Sequence, residues 1–492
     1  MRSTKRLLLT LQALACGMTF AETFSVTPGQ SIQDTIDNAA DGDVIVIFGG
    51  SYGQELTIDK AVQLTEAVGE DVIISGNVTI TGVADAPPFR GFNLGAGTTT
   101  LTVEDTTGLA ISDVVMGNLV QKGGSVYVSD STINGSWSTE RYQVLNPEFN
   151  HGLPPHHPIN AGKEQFLADS PCDRAVGFRL TVTGEGCNWA NLKQGWLGYS
   201  TINGTGFSLS NPEDPGLTGA LSLLVANEIN TGITTPIQIS DANADASVQI
   251  YNNHMTSLIA RPSPNAGPVA GQGESIRVTA DTVTVQNNYS ELQVSGNPVF
   301  LIQGFGPGGT APQRGYTAFH LSGDTITVRN NVIKGNVLAI NAPGNSVVEY
   351  NYADNANHYQ FANPQFIDPN LGFPVTGGCI PTYAPSPDGA LLNTNTGRKT
   401  GENSLEFLKD SGWWAYQGDD ADIESLSSPN PLYHDRDESR NNLGPDGGPC
   451  FDPEAWTTSK PVVISFDISP QSQVAGQGAE VLLSNGIAIS AP

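Results

Sequence analysis

From Ser247 to Asn357 one short phrase of alternating apolar and polar positions keeps returning, each time closed by asparagine. It reads VQIYNN up to Asn253, VTVQNN up to Asn288, ITVRNN up to Asn331 and VVEYN up to Asn351. Alternation with a period of two marks a half-buried strand. A unit this short buries no core alone, so its copies must stack on one another. The intervals between copies are uneven while the phrase is constant. That combination predicts a solenoid with fixed strands and variable loops, and it excludes a propeller, whose blades need four strands each. On each strand Val283, Val285, Ile326, Val328 and Val348 take the inward places. Tyr251, Gln286, Arg329 and Glu349 then form an outward column on coils about 4.8 Å apart.

Nearer the N-terminus the period changes. Ser31–Ala40 carries Ile32, Ile36 and Ala39 on one helical face, ended by Asp41-Gly42. Val44–Ile47, Leu56–Ile58 and Val72–Ile74 follow as strands. A helix laid over the open end of a strand stack covers its exposed edge. The order Gln33-Asp34-Thr35-Ile36, Gly42-Asp43, Gly50-Ser51-Tyr52, Ile58-Asp59-Lys60 and Ile74-Ser75-Gly76 resembles the opening of right-handed parallel β-helix proteins. NPQFIDPNLGF with SPDGALLNTNTG is similar to the last coils of secreted bacterial members of this pectin-lyase-like fold. DRDESRNNLGPDGGP resembles their closing motif, with Glu438 where glycine is usual and Asn442 where aspartate is usual. The resemblance implies an all-β chain: a right-handed parallel β-helix (a solenoid) with an N-terminal capping helix and long loop insertions.

The domain reading follows. Residues 1–21 form a signal peptide, with Arg2, Lys5 and Arg6 before LLLTLQALA and a small-residue site at Thr19-Phe20-Ala21. Cleavage after Ala15 would instead leave Cys16 for lipid attachment, although the usual leucine three residues before it is missing. Residues 22–455 form the β-helix. STING at Ser131 recurs at Ser200, so the coil path is expected to leave near 138 and resume near 195; a second strand-poor insertion spans 381–449. Residues 456–492 form a C-terminal β segment carrying PVVISFDISP and AEVLLSNGIAIS. No segment after the signal peptide is long and apolar enough to span a membrane.

Composition narrows the partners. The chain of 492 residues holds 55 glycines, and only 14% of its residues are charged, which favours strands and tight turns. A formal net charge of −27 argues against nucleic acid and calls for a cation or a local basic patch wherever a polyanion binds. In a secreted chain four cysteines remain after the signal: Cys172, Cys187, Cys379 and Cys450. They permit three connectivities, of which Cys172–Cys187 and Cys379–Cys450 are the natural pairings.

Candidate chemistry is sparse. Alginate lyases and chondroitinases with this fold use a Lys base and an Arg on neighbouring coils. Glu274-Ser275-Ile276-Arg277-Val278-Thr279-Ala280 resembles the first phrase, with Thr279 in the Lys place. His320-Leu321-Ser322-Gly323-Asp324 resembles the second, with Ser322 in the Arg place. A threonine hydroxyl is too weak a base for a sugar C5 proton. Arg277, Arg314, His320, Arg329 and Lys334 remain as polar candidates. Trp189, Trp196, Trp413 and Trp414 are expected in loops where they would stack on sugar rings. Asp435, Asp437 and Asp446 stand at EF-hand-like spacing for Ca2+, but Arg440 replaces the required glycine, and a coil-closing turn accounts for the same residues. The asparagines are assigned to turning and stacking, not chemistry.

The sequence therefore predicts an exported β-helix protein of the bacterial envelope or exterior. It would bind or present to an extracellular polysaccharide or surface partner, with no recognisable catalytic set. The alternative is a polysaccharide lyase or glycoside hydrolase working in a groove on the parallel sheet.

Overall fold

The computed structural model describes residues 21–84, 86–95, 97, 99–145, 166–232, 235–260, 274–295, 317–334, 338–343, 346–349 and 351–353, together with strand backbone at 359–360, 366–367, 374–375, 392–393, 398–399, 462–473 and 480–489. Three parallel sheets of twelve, ten and nine strands run along it. Each turn of the chain visits the twelve-stranded sheet, then the ten-stranded, then the nine-stranded, before starting the next coil. The protein is a parallel β-helix.

The alternating phrases sit where their pattern puts them. Val248, Val283 and Ile326 stack in register, as do Ile250, Val285, Val328 and Val348, and all are buried. Each such side chain contributes about 1.5–3 kcal/mol of transfer free energy. The backbone positions of Tyr251, Gln286, Arg329 and Glu349 are also in register, and Gln286 is buried. At the N-terminal end the helix Ile32–Asn38 buries Ile32 and Ile36 against the first strands, and the Ser31 hydroxyl caps it by accepting from the Asp34 amide. Its last turn stops at Asn38, short of the Asp41-Gly42 signal. Lys60 Nζ donates to the carbonyls of Ile36, Asp37 and Ala39, satisfying acceptors that the helix end leaves open.

In the first three phrases the closing asparagines divide their duties between two residues. The first, at 252, 287 and 330, adopts left-handed φ of 55–57° and turns the chain between the ten- and nine-stranded sheets. The second points inward and builds a ladder. Asn227 Nδ2 donates to Asn253 Oδ1 at 2.9 Å, Asn253 to Asn288 at 3.0 Å, Asn288 to Asn331 at 3.0 Å and Asn331 to Asn351 at 2.8 Å. These rungs are 26, 35, 43 and 20 residues apart in sequence. The ladder thus stays continuous across spacings of 20 to 43 residues. Asn227 is a rung that the sequence pattern missed, because Ala226 (φ 52°) supplies its left-handed turn in place of asparagine. Ser200 and Ser131 hold the equivalent corner on earlier coils, each accepting a backbone amide through its hydroxyl.

The first insertion is shorter than expected. Coil strands resume at Cys172–Phe178, Gly186–Ala190 and Leu192–Gly198, all paired in parallel with their neighbours. The excursion lies between Glu140 and Cys172, and its feet, Tyr142–Leu145 and Phe166–Ser170, pair antiparallel. The two STING phrases therefore stand two coils apart, with Thr181–Val182 between them. At the corner entering the twelve-stranded sheet Gly186 (φ +78°) lies so close to the next coil that a Cβ would meet the Gly206 carbonyl at 2.1 Å. At the C-terminus Val462–Gln473 and Glu480–Ile489 form an antiparallel pair.

Cys172 and Cys187 do not form a disulfide; both are free and buried. Cys172 faces inward from the ten-stranded sheet and Cys187 from the twelve-stranded one, so each is a small core residue on its own wall. Burial pushes both thiols up to about 12. Cys379 and Cys450 lie outside the described residues, as does the expected 381–449 insertion apart from the strand backbone at 392–393 and 398–399.

Candidate functional site

The strands Ile276–Thr279 and Thr317–Ser322 are neighbours in the twelve-stranded sheet. Ile276, Val278, Phe319 and Leu321 point into the core, which turns Arg277, Thr279, His320 and Ser322 outward. The register sets Arg277 opposite His320 and Thr279 opposite Ser322, with Gln238 and Ser240 on the preceding coil. Two of the candidate residues are thereby brought side by side, and the two lyase-like phrases fall on adjacent coils in register.

Beneath the pair lies a residue that the sequence reading left without a role. Glu274, at the corner before the strand, is 1% exposed, while Arg277 and His320 are each 44% exposed. Arg277 donates to both Glu274 oxygens, Nε to Oε2 and Nη2 to Oε1, each at 2.7 Å. His320 Nδ1 lies 3.5 Å from Oε1. Burial by itself would raise the Glu274 carboxyl, but hydrogen bonds from His320 and Arg277 and their charge outweigh it and hold it below the ordinary value. The bond to Glu274 in turn raises Arg277. The result is a buried anion that fixes the Arg277 guanidinium and the His320 imidazole at the surface.

This predicts a pH dependence. The Glu274 carboxyl titrates below 4.5 in the folded protein, so the unfolded chain takes up the proton first as pH falls. Its stabilisation is complete above about pH 4.5 and is lost as pH falls through the folded value. The gap in thermal midpoint between the wild type and Glu274→Gln should therefore narrow under acid conditions; a gap that stays constant would show that the carboxylate charge plays no part.

The remaining candidates do not join this cluster. Arg329 lies on the ten-stranded sheet and Lys334 on the nine-stranded sheet, on different walls of the solenoid. Arg314, Trp413, Trp414, Asp435, Asp437 and Asp446 fall outside the described residues. Among the described residues no three His, Cys, Asp or Glu side chains group as a metal site.

Trp189 and Trp196 are not sugar platforms. Trp189 is 2% exposed and packs edge-on against Trp137 and Phe207, with centroids 4.9 and 5.0 Å away. It is an inward residue of a coil strand, not a loop residue. Trp196 stands in the outward column between Val176 and Leu223, yet is only 7% exposed.

No protein-family model matches the chain, and a search of curated proteins gave no match. Among solved structures, one described as the crystal structure of pectate lyase Pel9A is similar, at 13% identity and a TM-score of 0.22, over 87% of this chain and 97% of that one. A likeness at that level carries no argument about chemistry, and the strand pairings themselves define the parallel β-helix.

Proposed function

We propose that this is an exported β-helix protein that binds an acidic polysaccharide along the outward face of its twelve-stranded sheet. The observation that supports the reading is the Glu274-anchored pair of Arg277 and His320. In a chain of net charge −27, it places the Arg277 guanidinium and the His320 imidazole among exposed Gln238, Ser240, Thr279 and Ser322. A run of hydroxyl, amide, imidazole and guanidinium groups on successive coils suits a polymer of uronic acids: a carboxylate meets the Arg277 guanidinium and ring hydroxyls meet the polar side chains.

Calorimetric titration with a panel of uronic-acid and neutral polysaccharides tests this. Binding is expected for the acidic polymers. Arg277→Ala should weaken it by about 1.5–3 kcal/mol, the usual worth of hydrogen bonds to charged groups, with the fold unchanged by circular dichroism. Equal binding of neutral and acidic polymers, or an unaffected Arg277→Ala variant, would reject the reading.

One observation favours a catalytic version of the same site. The buried Glu274 faces His320 Nδ1, the arrangement that aims the other ring nitrogen outward as a general base. With Arg277 neutralising a substrate carboxylate, His320 would remove the adjacent C5 proton, and the C4–O bond would break by β-elimination, the departing oxygen taking a proton from water. Thr279 and Ser322 cannot serve as the Lys and Arg of the resembled lyases, so this chemistry would rest on His320. Ultraviolet absorbance from unsaturated uronate products, lost in His320→Ala, would establish it; binding without such product leaves the non-catalytic reading.

A further inference from the structure

The ten-stranded sheet carries a second concave feature, several coils away from Glu274 and on another wall. Its outward column begins with small residues, Gly108 and Ser125, and continues with Arg174 and Gln194. The small residues leave a notch beside the long ones, and Tyr127, in the adjoining column, stands as its wall. The notch is an open groove of about 400 Å³, within the range of small-ligand sites. Gly108 adopts φ +78°, with open space where a Cβ would stand, so the opening is built into the turn.

The groove is chemically organised. Arg174 Nε donates to Gln194 Oε1 at 2.7 Å, and Nη1 lies 3.4 Å from the Tyr127 hydroxyl. These contacts fix the guanidinium plane against a polar wall. At the lip Lys193 pairs with Asp173 at 2.8 Å, both substantially exposed. Two cations and one carboxylate leave the groove locally positive on a strongly acidic protein.

We infer that this groove is a separate binding site for a small acidic saccharide, such as a single uronic acid unit or a chain end bearing one. The carboxylate would be held by Arg174, with Lys193 adding charge. The sugar hydroxyls would meet Ser125 and Gln194, and the ring would lie along Tyr127. The site shares no residue with the Glu274 cluster, so it stands whether or not the polymer binds there.

The test is calorimetric titration of the full-length Arg277→Ala variant, in which the other site is disabled, with glucuronate, glucose and acetate. Saturable binding of glucuronate is expected, with glucose and acetate much weaker. Adding Arg174→Ala should reduce glucuronate affinity about tenfold or more, while Arg174→Lys recovers part of it. Circular dichroism confirms that each variant is folded. The proposal is overturned if glucuronate does not bind, if glucose or acetate binds as well, or if Arg174→Ala leaves affinity unchanged. Loss of polymer binding in Arg277→Ala alone bears on the twelve-stranded face and leaves this groove untouched.

Discussion

Replacing Asn288 with alanine is expected to destabilise the protein by about 3–5 kcal/mol. The Asn288 side chain donates to Asn331 Oδ1 and to the carbonyls of Ile250 and Gln286, and it accepts from both the backbone and the side-chain nitrogen of Asn253. Truncation leaves several of these groups without partners at a position that is fully buried. Chemical denaturation gives the total loss. Because repeat arrays can unfold in parts, hydrogen exchange at the amides of Asn253 and Asn288 should be read alongside it. Both amides should lose protection, since the Asn253 amide donates directly to Asn288 and the Asn288 amide sits on the altered residue. A loss below about 1 kcal/mol would show that the ladder is dispensable.

Trp189→Ala is expected to cost about 3–5 kcal/mol and to leave saccharide affinity of the folded protein unchanged. The indole fills the core between Trp137 and Phe207, so its removal opens a cavity between two walls. Thermal denaturation and glucuronate titration on the same sample separate this from a sugar-stacking role, which predicts the reverse pattern of a weakened ligand and a stable fold.

The same tryptophans explain where the sequence was hard to read. Around Asn253, Asn288 and Asn331 the inward places hold Val and Ile, so alternation is visible and the coil path is plain. Between Cys172 and Gly198 it is hidden by an exchange of size across the core. Trp137 and Trp189 project from the twelve-stranded sheet, and the facing strands make room with Gly177 and Gly195. A Cβ at Gly177 would meet Trp137 at 2.9 Å, and one at Gly195 would meet Trp189 at 2.9 Å. Glycine at an inward position reads as loop, and an isolated tryptophan reads as a surface platform. Four coil strands therefore read as an insertion, which concealed Tyr127, Arg174 and Gln194 as neighbours.

At the Glu274 cluster the legible part was the pair of phrases around Arg277 and His320, because both lie inside regular strands whose parity fixes their outward direction. Glu274 precedes its strand, where parity gives no guidance. Its signal was a lone carboxylate three residues before an arginine, which in most contexts is a surface pair. Depth is what distinguishes it, and depth depends on the coils above and below.

The asparagine ladder also has a direction. Every rung from Asn227 to Asn331 gives its amide hydrogen to the rung that follows and takes one on its oxygen from the coil before. Five side-chain dipoles consequently add head to tail along the solenoid axis, with oxygen towards the N-terminal coils and NH2 towards the C-terminal ones. Such a row polarises itself, each bond strengthening the next, and it acts as a fixed electrical axis in the protein interior. The ladder is thus polar in the electrostatic sense as well as the geometric one.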